Sequence, residues 1–368
     1  MREIIKSAGA LISFGVMAIS AFAGTQTDQT VFGEKQAKAA IEALNKNWYS
    51  PCYRQWMEAD EDKPLSAWHG WNMLEQFINY TKLTGDNSYI PIINTVASNP
   101  QLNAQGVANG NDDCEWQAIA QLLYYSEIIK DPIYLFEVNE IFKLMKGDYW
   151  DDTMGGGIYW DHNKSYKNAI TNELFLVIVT KLYLVTGDQI YLDWANKEWD
   201  WFEKSGMINS DFLVNDGLDN KTGKNNGETT WTYNQGVILG GLTNLYLISK
   251  DEKYLTLANK IADSTIKKLT TNGILVEPGT VDDSRKQFKG IFMRYLAYLA
   301  VNEKDKTKAV EYKKFINANG QFVWEKRGEG DKFSYYWESP DKEYDAVKQS
   351  SAIDLFNACI AVNKLITE

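Results

Sequence analysis

A short turn that recurs five times constrains the fold of this chain more than any other feature. Thr84-Gly85-Asp86 leads to Tyr89, Lys130-Asp131 to Tyr134, Thr186-Gly187-Asp188 to Tyr191 and Lys250-Asp251 to Tyr254, while a weaker copy, Lys304-Asp305, lacks the tyrosine. Each copy reads as a helix end followed at once by a helix start. A small or polar residue closes the first helix, and the aspartate accepts hydrogen bonds from the free N–H groups of the next. The tyrosine three residues on would face the core in the new first turn. Successive aspartates lie 45, 57, 63 and 54 residues apart, a repeat that means stacked helix-turn-helix units.

Helical periodicity on both sides of each turn predicts twelve helices, near residues 34–47, 66–84, 87–97, 112–130, 132–147, 167–186, 189–204, 231–249, 252–270, 284–302, 305–318 and 344–366. Strand-like alternation is scarce. Six helical hairpins predict an all-α fold, an (α/α)6 barrel with six inner and six outer helices. The even-numbered helices are the more apolar. Helix 167–186 carries Leu174, Phe175, Val177, Ile178, Leu182 and Leu184 with little polar face, as a buried helix does. Each even-numbered helix follows a long loop and each outer one a tight turn. The long loops must therefore gather at one end, over the N-termini of the inner helices.

The N-terminus stands apart from this pattern. Arg2 and Lys6 precede an apolar stretch from Ala8 to Phe22, and Ala21-Phe22-Ala23 resembles a signal-peptidase site. Residues 1–23 are expected to be a signal peptide and 24–368 a single catalytic domain of a secreted or periplasmic protein. No later segment is expected to span a membrane, since the longest apolar run, Leu174 to Val179, lies within a more polar pattern. The formal charge is −11, and removing Arg2, Lys6 and Glu3, net +1, leaves −12. That field repels nucleic acid and acidic polysaccharides, so a neutral glycan and a monomer are the expected partner and state. Three cysteines, Cys52, Cys114 and Cys359, are too few for a disulfide framework and are expected mainly as small buried hydrophobes. Two histidines, His69 and His162, argue against a His-based metal site or a Ser-His-Asp triad. No metal or cofactor is expected.

The inner helices open with unusual residues: Trp68-His69-Gly70-Trp71-Asn72, Asn111-Asp112-Asp113-Cys114-Glu115-Trp116, Lys167-Asn168-Ala169-Ile170-Thr171-Asn172 and Trp231-Thr232-Tyr233-Asn234-Gln235-Gly236. The loops add Tyr149-Trp150, Gly155-Gly156-Gly157-Ile158-Tyr159-Trp160 and Tyr335-Tyr336-Trp337. Flat rings that stack on sugar faces, ringed by amides and carboxylates, make a carbohydrate site. Trp199 and Trp201, on an outer helix, are better explained as wedges that seat loops. Of three Asp-Asp pairs, Asp282-Asp283 reads as a helix cap and Asp151-Asp152 as turn chemistry. Asp112 and Asp113 also suit a cap. Yet neighbouring carboxyls at a helix start project about 100° apart and can meet two faces of one sugar. Like charges so close would raise one pKa, as an acid catalyst requires, while the helix N-terminus keeps the other ionised.

These four helix-opening and loop segments, Asn111 to Trp116, Gly155 to Trp160, Lys167 to Asn172 and Trp231 to Gly236, resemble in order and spacing glycoside hydrolase family 76, the endo-α-1,6-mannanases. The likeness runs over roughly residues 35–365 and is weakest beyond 310. It implies an (α/α)6 fold and retaining hydrolysis of α-1,6-mannan. Carried over, Asp112 is the nucleophile and Asp113 the general acid/base. Asp216, in Asn215-Asp216-Gly217-Leu218, resembles the family's aspartate that binds the sugar beside the cut, with Trp160, Tyr233 and Asn234 lining the same subsite. Asn168, Trp231 and Gln235 are expected to join the substrate-binding set. Cys114 has no assigned role. Three rivals remain at this stage: a transglycosidase on mannan-containing glycans with the same residues, a lyase or uronide hydrolase on the same barrel, which the negative charge disfavours, and a non-catalytic carbohydrate-binding barrel.

Overall fold

The recurring turn is built alike in each copy. Asp86, Asp131, Asp188, Asp251 and Asp305 each accept a hydrogen bond from the backbone N–H two residues on. A hydroxyl or carboxylate two residues earlier (Thr84, Thr186, Ser249 or Glu303) accepts from the backbone N–H of the aspartate in four of them. Gly85, Gly187 and Lys250 end their helices in the left-handed conformation. The tyrosines lock the hairpins edge to face: Tyr89 meets Phe77, Tyr134 meets Tyr124, Tyr191 meets Phe142 and Tyr254 meets Trp199.

The computed structural model describes residues 31–366 apart from 59–63, 101, 103–109 and 281. The expected signal peptide lies outside the described residues. Twelve α-helices are present among those described: α1 (Glu34–Trp48), α2 (Ala67–Thr84), α3 (Ile90–Ala97), α4 (Asn111–Glu127), α5 (Pro132–Leu144), α6 (Ala169–Thr186), α7 (Gln189–Ser205), α8 (Thr232–Ser249), α9 (Lys253–Lys268), α10 (Phe288–Asn302), α11 (Lys306–Glu325) and α12 (Ala346–Leu365). Two small antiparallel ribbons, Tyr49–Ser50 with Gln55–Trp56 and Thr270–Thr271 with Ile274–Leu275, are trimmings on loops. The predicted helices are found with adjustments at their ends: the one expected from 87 opens with a 3-10 turn, Asn87–Tyr89, and the one expected to reach 147 passes into a π-turn, Met145–Tyr149. The helix expected from 284 begins with a 3-10 turn, Asp283–Gln287, capped by Asp282. The helix expected to stop at 318 runs to Glu325, because Asn319 and Val323 are buried and Asn319 holds the N–H of Leu275.

The even-numbered helices form the inner ring. Each packs on the next, and α12 closes on α2. Their burial is continuous: every residue from Ala169 to Thr180 of α6 and from Thr232 to Tyr246 of α8 is buried. Outer helices bury one stripe only, as α1 does with Ala37, Ala40, Ile41 and Leu44. By length and composition α6 passes for a membrane span, but 72% of it is enclosed by its neighbours in the ring. Close approach depends on missing side chains. A Cβ on Gly236 of α8 would lie 2.7 Å from the Cα of Phe292, and one on Gly290 of α10 would lie 2.6 Å from the carbonyl of Ser351. Five hairpins are sequential. The sixth pairs α1 with α12, so the first and last helices of the ring share a contact. On the barrel axis Arg294 of α10 donates to Glu75 and Asn72 of α2 and to Asp354 of α12, binding three inner helices together.

Candidate active site

Sequence order makes the inner helices start at one end of the ring, and a cleft of about 390 Å³ opens there. That volume suits a small ligand or a sugar unit. Its lining includes Ser66, Trp68, Asp112, Asp113, Trp116, Trp160, Asn168, Asp216, Tyr233 and Phe288, nearly all at helix starts or in the preceding loops.

Asp112 and Asp113 fall in the first turn of α4, with Asp113 more deeply buried. Both face the cleft, but their surroundings differ. Asp112 Oδ1 accepts the indole N–H of Trp160 at 2.8 Å. Burial raises its pKa to about 6, against the pull of Trp160 and of the backbone N–H groups of Asp112 and Asp113, and the charge of Asp216 adds to the rise. The Asp113 carboxyl has no hydrogen-bonding partner among the described residues. Burial first, then the charge of Asp112, pushes it up to about 8. Near neutral pH one carboxyl is therefore ionised and its neighbour protonated. Glu115, one helical turn beyond Asp112, is fully buried, and burial first, then the charges of Asp112 and Glu198, raises its pKa well above the usual carboxylate range.

The Trp160 loop is seated by glycines. Gly157 has φ +92°, and a Cβ there would lie 2.3 Å from the ring of Trp201. Trp201 also donates to the carbonyl of Met154. The glycine triplet thus wraps an indole on α7, as expected of a wedge. Lys167 pins the same loop from beneath: its buried ammonium donates to Asp151 and to the carbonyls of Thr153 and Gly156, each at 2.7 Å. Asp151 is a loop tie, accepting also from Thr153 N–H, and Asp282 is a cap, so both readings from turn chemistry hold.

Asp216 stands opposite the pair. Residues 168 and 217 bridge in antiparallel fashion, and the carbonyl of Asp216 accepts from the N–H of Ala169 at 2.7 Å, fixing the Asp216 loop to the start of α6. Its carboxylate accepts the Tyr166 hydroxyl at 2.6 Å. Burial raises its pKa, opposed by Tyr166 and by the indole of Trp231 beside it. Tyr233 stacks on Phe288 with ring centroids 3.7 Å apart, and Trp68 lies near both Trp116 and Phe288, forming an aromatic wall.

Of the expected set, Asp112, Asp113, Trp160, Asn168, Asp216 and Tyr233 meet in the cleft. Asn168 is also the cap of α6, accepting from Thr171 N–H. Trp231 abuts Asp216 from the side. Gln235 corrects an expectation: it is fully buried, and its amide is taken up by both backbone groups of Val214 and the carbonyl of Trp231. It holds the Asp216 loop and does not line the cleft. Asn234 is likewise fully buried, with no partner for its amide among the described residues, and lies outside the lining. The expected set omits Tyr166 and Phe288. Tyr166 belongs to no motif, and its tie to Asp216 spans 50 residues. Cys114 and Cys359 are buried as small hydrophobes, whereas Cys52 is exposed.

Fold and site together define a helical-ring protein whose mouth holds a split carboxyl pair in an aromatic, sugar-sized cleft. A family model for glycosyl hydrolase family 76 matches residues 33–367, and the chain belongs to that family. It is 27% identical over 325 residues to a mannan endo-1,6-alpha-mannosidase of Candida glabrata, which covers 80% of this chain and 65% of that relative. The chain thus spans somewhat under two thirds of that relative's length. The GH76A alpha-1,6-mannanase from a Salegentibacter species superposes with a TM-score of 0.82 at 25% identity, covering 90% of this chain and 99% of that one. An inactive variant of that mannanase, with two adjacent aspartates changed to asparagine, was solved with α-1,6-mannotriose and matches with a TM-score of 0.81 at 25% identity over the same shares.

Proposed function

We propose that this chain is a retaining glycoside hydrolase that cleaves α-1,6-linkages in mannan, exported to meet a neutral polysaccharide outside the cytoplasm. The observation that carries this reading is the inequality of two neighbouring carboxyls that share one cleft. Asp112 receives the Trp160 N–H, and Asp113 receives none among the described residues while carrying the higher pKa. Asp112 attacks the anomeric carbon as Asp113 protonates the departing glycosidic oxygen. The resulting mannosyl ester on Asp112 is then hydrolysed by a water that Asp113, now a base, deprotonates. Asp216 accepts hydroxyls of the sugar between them, and Tyr233, Trp68 and Trp160 hold its faces. Family membership, the Salegentibacter mannanase and the Candida enzyme support the choice of substrate.

The test is turnover of linear α-1,6-mannan. Asp113→Asn should lower kcat by about 10²–10⁴-fold, the usual worth of a general acid, and Asp112→Asn by at least as much, with folding intact. NMR of the first product should show retained anomeric configuration. Near-normal rates in both variants, or inversion, would overturn the assignment.

A further inference from the structure

The loops before α10 and before α12 enclose a second cavity, of about 420 Å³, whose lining includes Glu277, Gly279, Lys289, Tyr335, Tyr336 and Glu338. Trp231 divides it from the cleft. One side of the indole lies beside Asp216, and its far edge packs on Gly279 so closely that a Cβ there would stand 3.0 Å from the ring. A substrate held at Asp216 therefore needs to pass only one indole to reach the cavity.

Two polar groups of this cavity, Lys289 and Glu338, are only partly satisfied among the described residues. Lys289, in the first turn of α10, is 1% exposed. Its ammonium donates to the carbonyl of Tyr335, its one hydrogen bond among the described residues, and stands 4.5 Å from the Tyr335 ring and 4.9 Å from that of Trp337. Two of its N–H groups are left without a protein acceptor. Glu338 has a buried carboxylate oxygen with no partner. Glu277 is engaged, accepting from the N–H and hydroxyl of Thr232, and burial raises its pKa to about 8, so it adds little charge at neutrality. The Lys289 and Glu338 charges offset each other, so the lining favours no ion. Buried groups of this kind take hydrogen-bonding partners. What fits must both donate and accept on a compact frame. It should also offer a C–H face to Tyr336, which is 40% exposed at the rim.

We propose that this cavity is a second sugar subsite, receiving a neutral hexopyranose unit of the substrate beyond those held against Asp112, Asp113 and Asp216. The proposal rests on the glycan-cleaving reading above. The next unit along the chain and a branch unit present the same hydroxyl chemistry, and substrate choice separates them.

Tyr336→Ala and Glu338→Gln alter the loop without touching the Asp pair, and circular dichroism checks their folding. Tyr336→Ala, through one lost aromatic contact, and Glu338→Gln, through one weakened hydrogen bond to a charged group, should each lower kcat/KM about tenfold on substrates that reach the cavity. The shortest linear α-1,6-mannooligosaccharide cleaved should be affected less than about twofold. Loss confined to longer linear oligosaccharides assigns the cavity to the main chain, and loss confined to branched mannan assigns it to a branch. Equal effects on every substrate, or none, would overturn the subsite. Should the wild-type protein cleave no mannan, the catalytic reading fails separately. Calorimetric titration of wild type and Tyr336→Ala with the same oligosaccharides then decides the subsite, and equal affinities overturn it.

Discussion

At the scale of single residues, two identical side chains in the cleft keep unequal company. Trp160 favours the ionised form of Asp112, so Trp160→Phe should raise that pKa and move the acid limb of the kcat/KM profile to higher pH. Activity below that limb should fall about tenfold or more, the worth of a hydrogen bond to a charged group, with the alkaline limb moved less. An unchanged acid limb would dissociate Trp160 from the charge of Asp112, the proposed nucleophile. Asp113 makes a second prediction. Its folded pKa is about 8, above the ordinary carboxylate value of roughly 3.9 in the unfolded chain. Its favourable contribution is therefore complete below the unfolded value and is lost as pH rises through the folded one. Asp113→Asn should melt higher than wild type near pH 8, and the gap should shrink towards pH 4.5. A gap that does not change with pH would refute the buried, protonated state. The place of these aspartates was legible in the sequence because their doublet sits in a segment that, with three others, carries the family resemblance, whereas the doublet at Asp282 only caps a helix start. Tyr166, Phe288 and the true place of Gln235 were not, since each is defined by a partner 21 to 55 residues away.

At the scale of elements, the turn was the most legible part of the chain. Its capping aspartate, its left-handed residue and its tyrosine act within a few residues of one another, so the pattern survives without knowledge of the ring. Asp131 and Asp305 cap helices in separate hairpins with no shared partner. Asp131→Ala and Asp305→Ala should each cost about 1 kcal/mol in urea unfolding, and the double variant about their sum. Marked non-additivity would mean the hairpins are coupled through the ring. The helix ends that sequence reasoning misplaced are those set by neighbours. α11 continues because its last turns cover the ribbon at Leu275, and the start of α10 tightens into a 3-10 turn beneath the loop that carries Asp282.

At the scale of the molecule, the count of six hairpins foretold a closed ring, but not what fills its axis. Arg294, Glu75 and Asp354 lie on three inner helices far apart in sequence, and only the closed ring makes them an ion cluster. Arg294→Leu strands two buried carboxylates and should cost about 3–5 kcal/mol by urea unfolding, part of which Asp354→Asn in the same background should recover. A loss within about 1 kcal/mol would mean that solvent reaches the axis. The shared hairpin of α1 and α12 has a consequence for biosynthesis. Five hairpins can assemble while the ribosome is still translating, yet α2 and α10 each keep a bare greasy flank until the 20 residues of α12 emerge. A nascent chain at that stage is prone to stick to its neighbours. Premature stop codons that remove α12 alone should therefore yield insoluble product rather than a weakened protein.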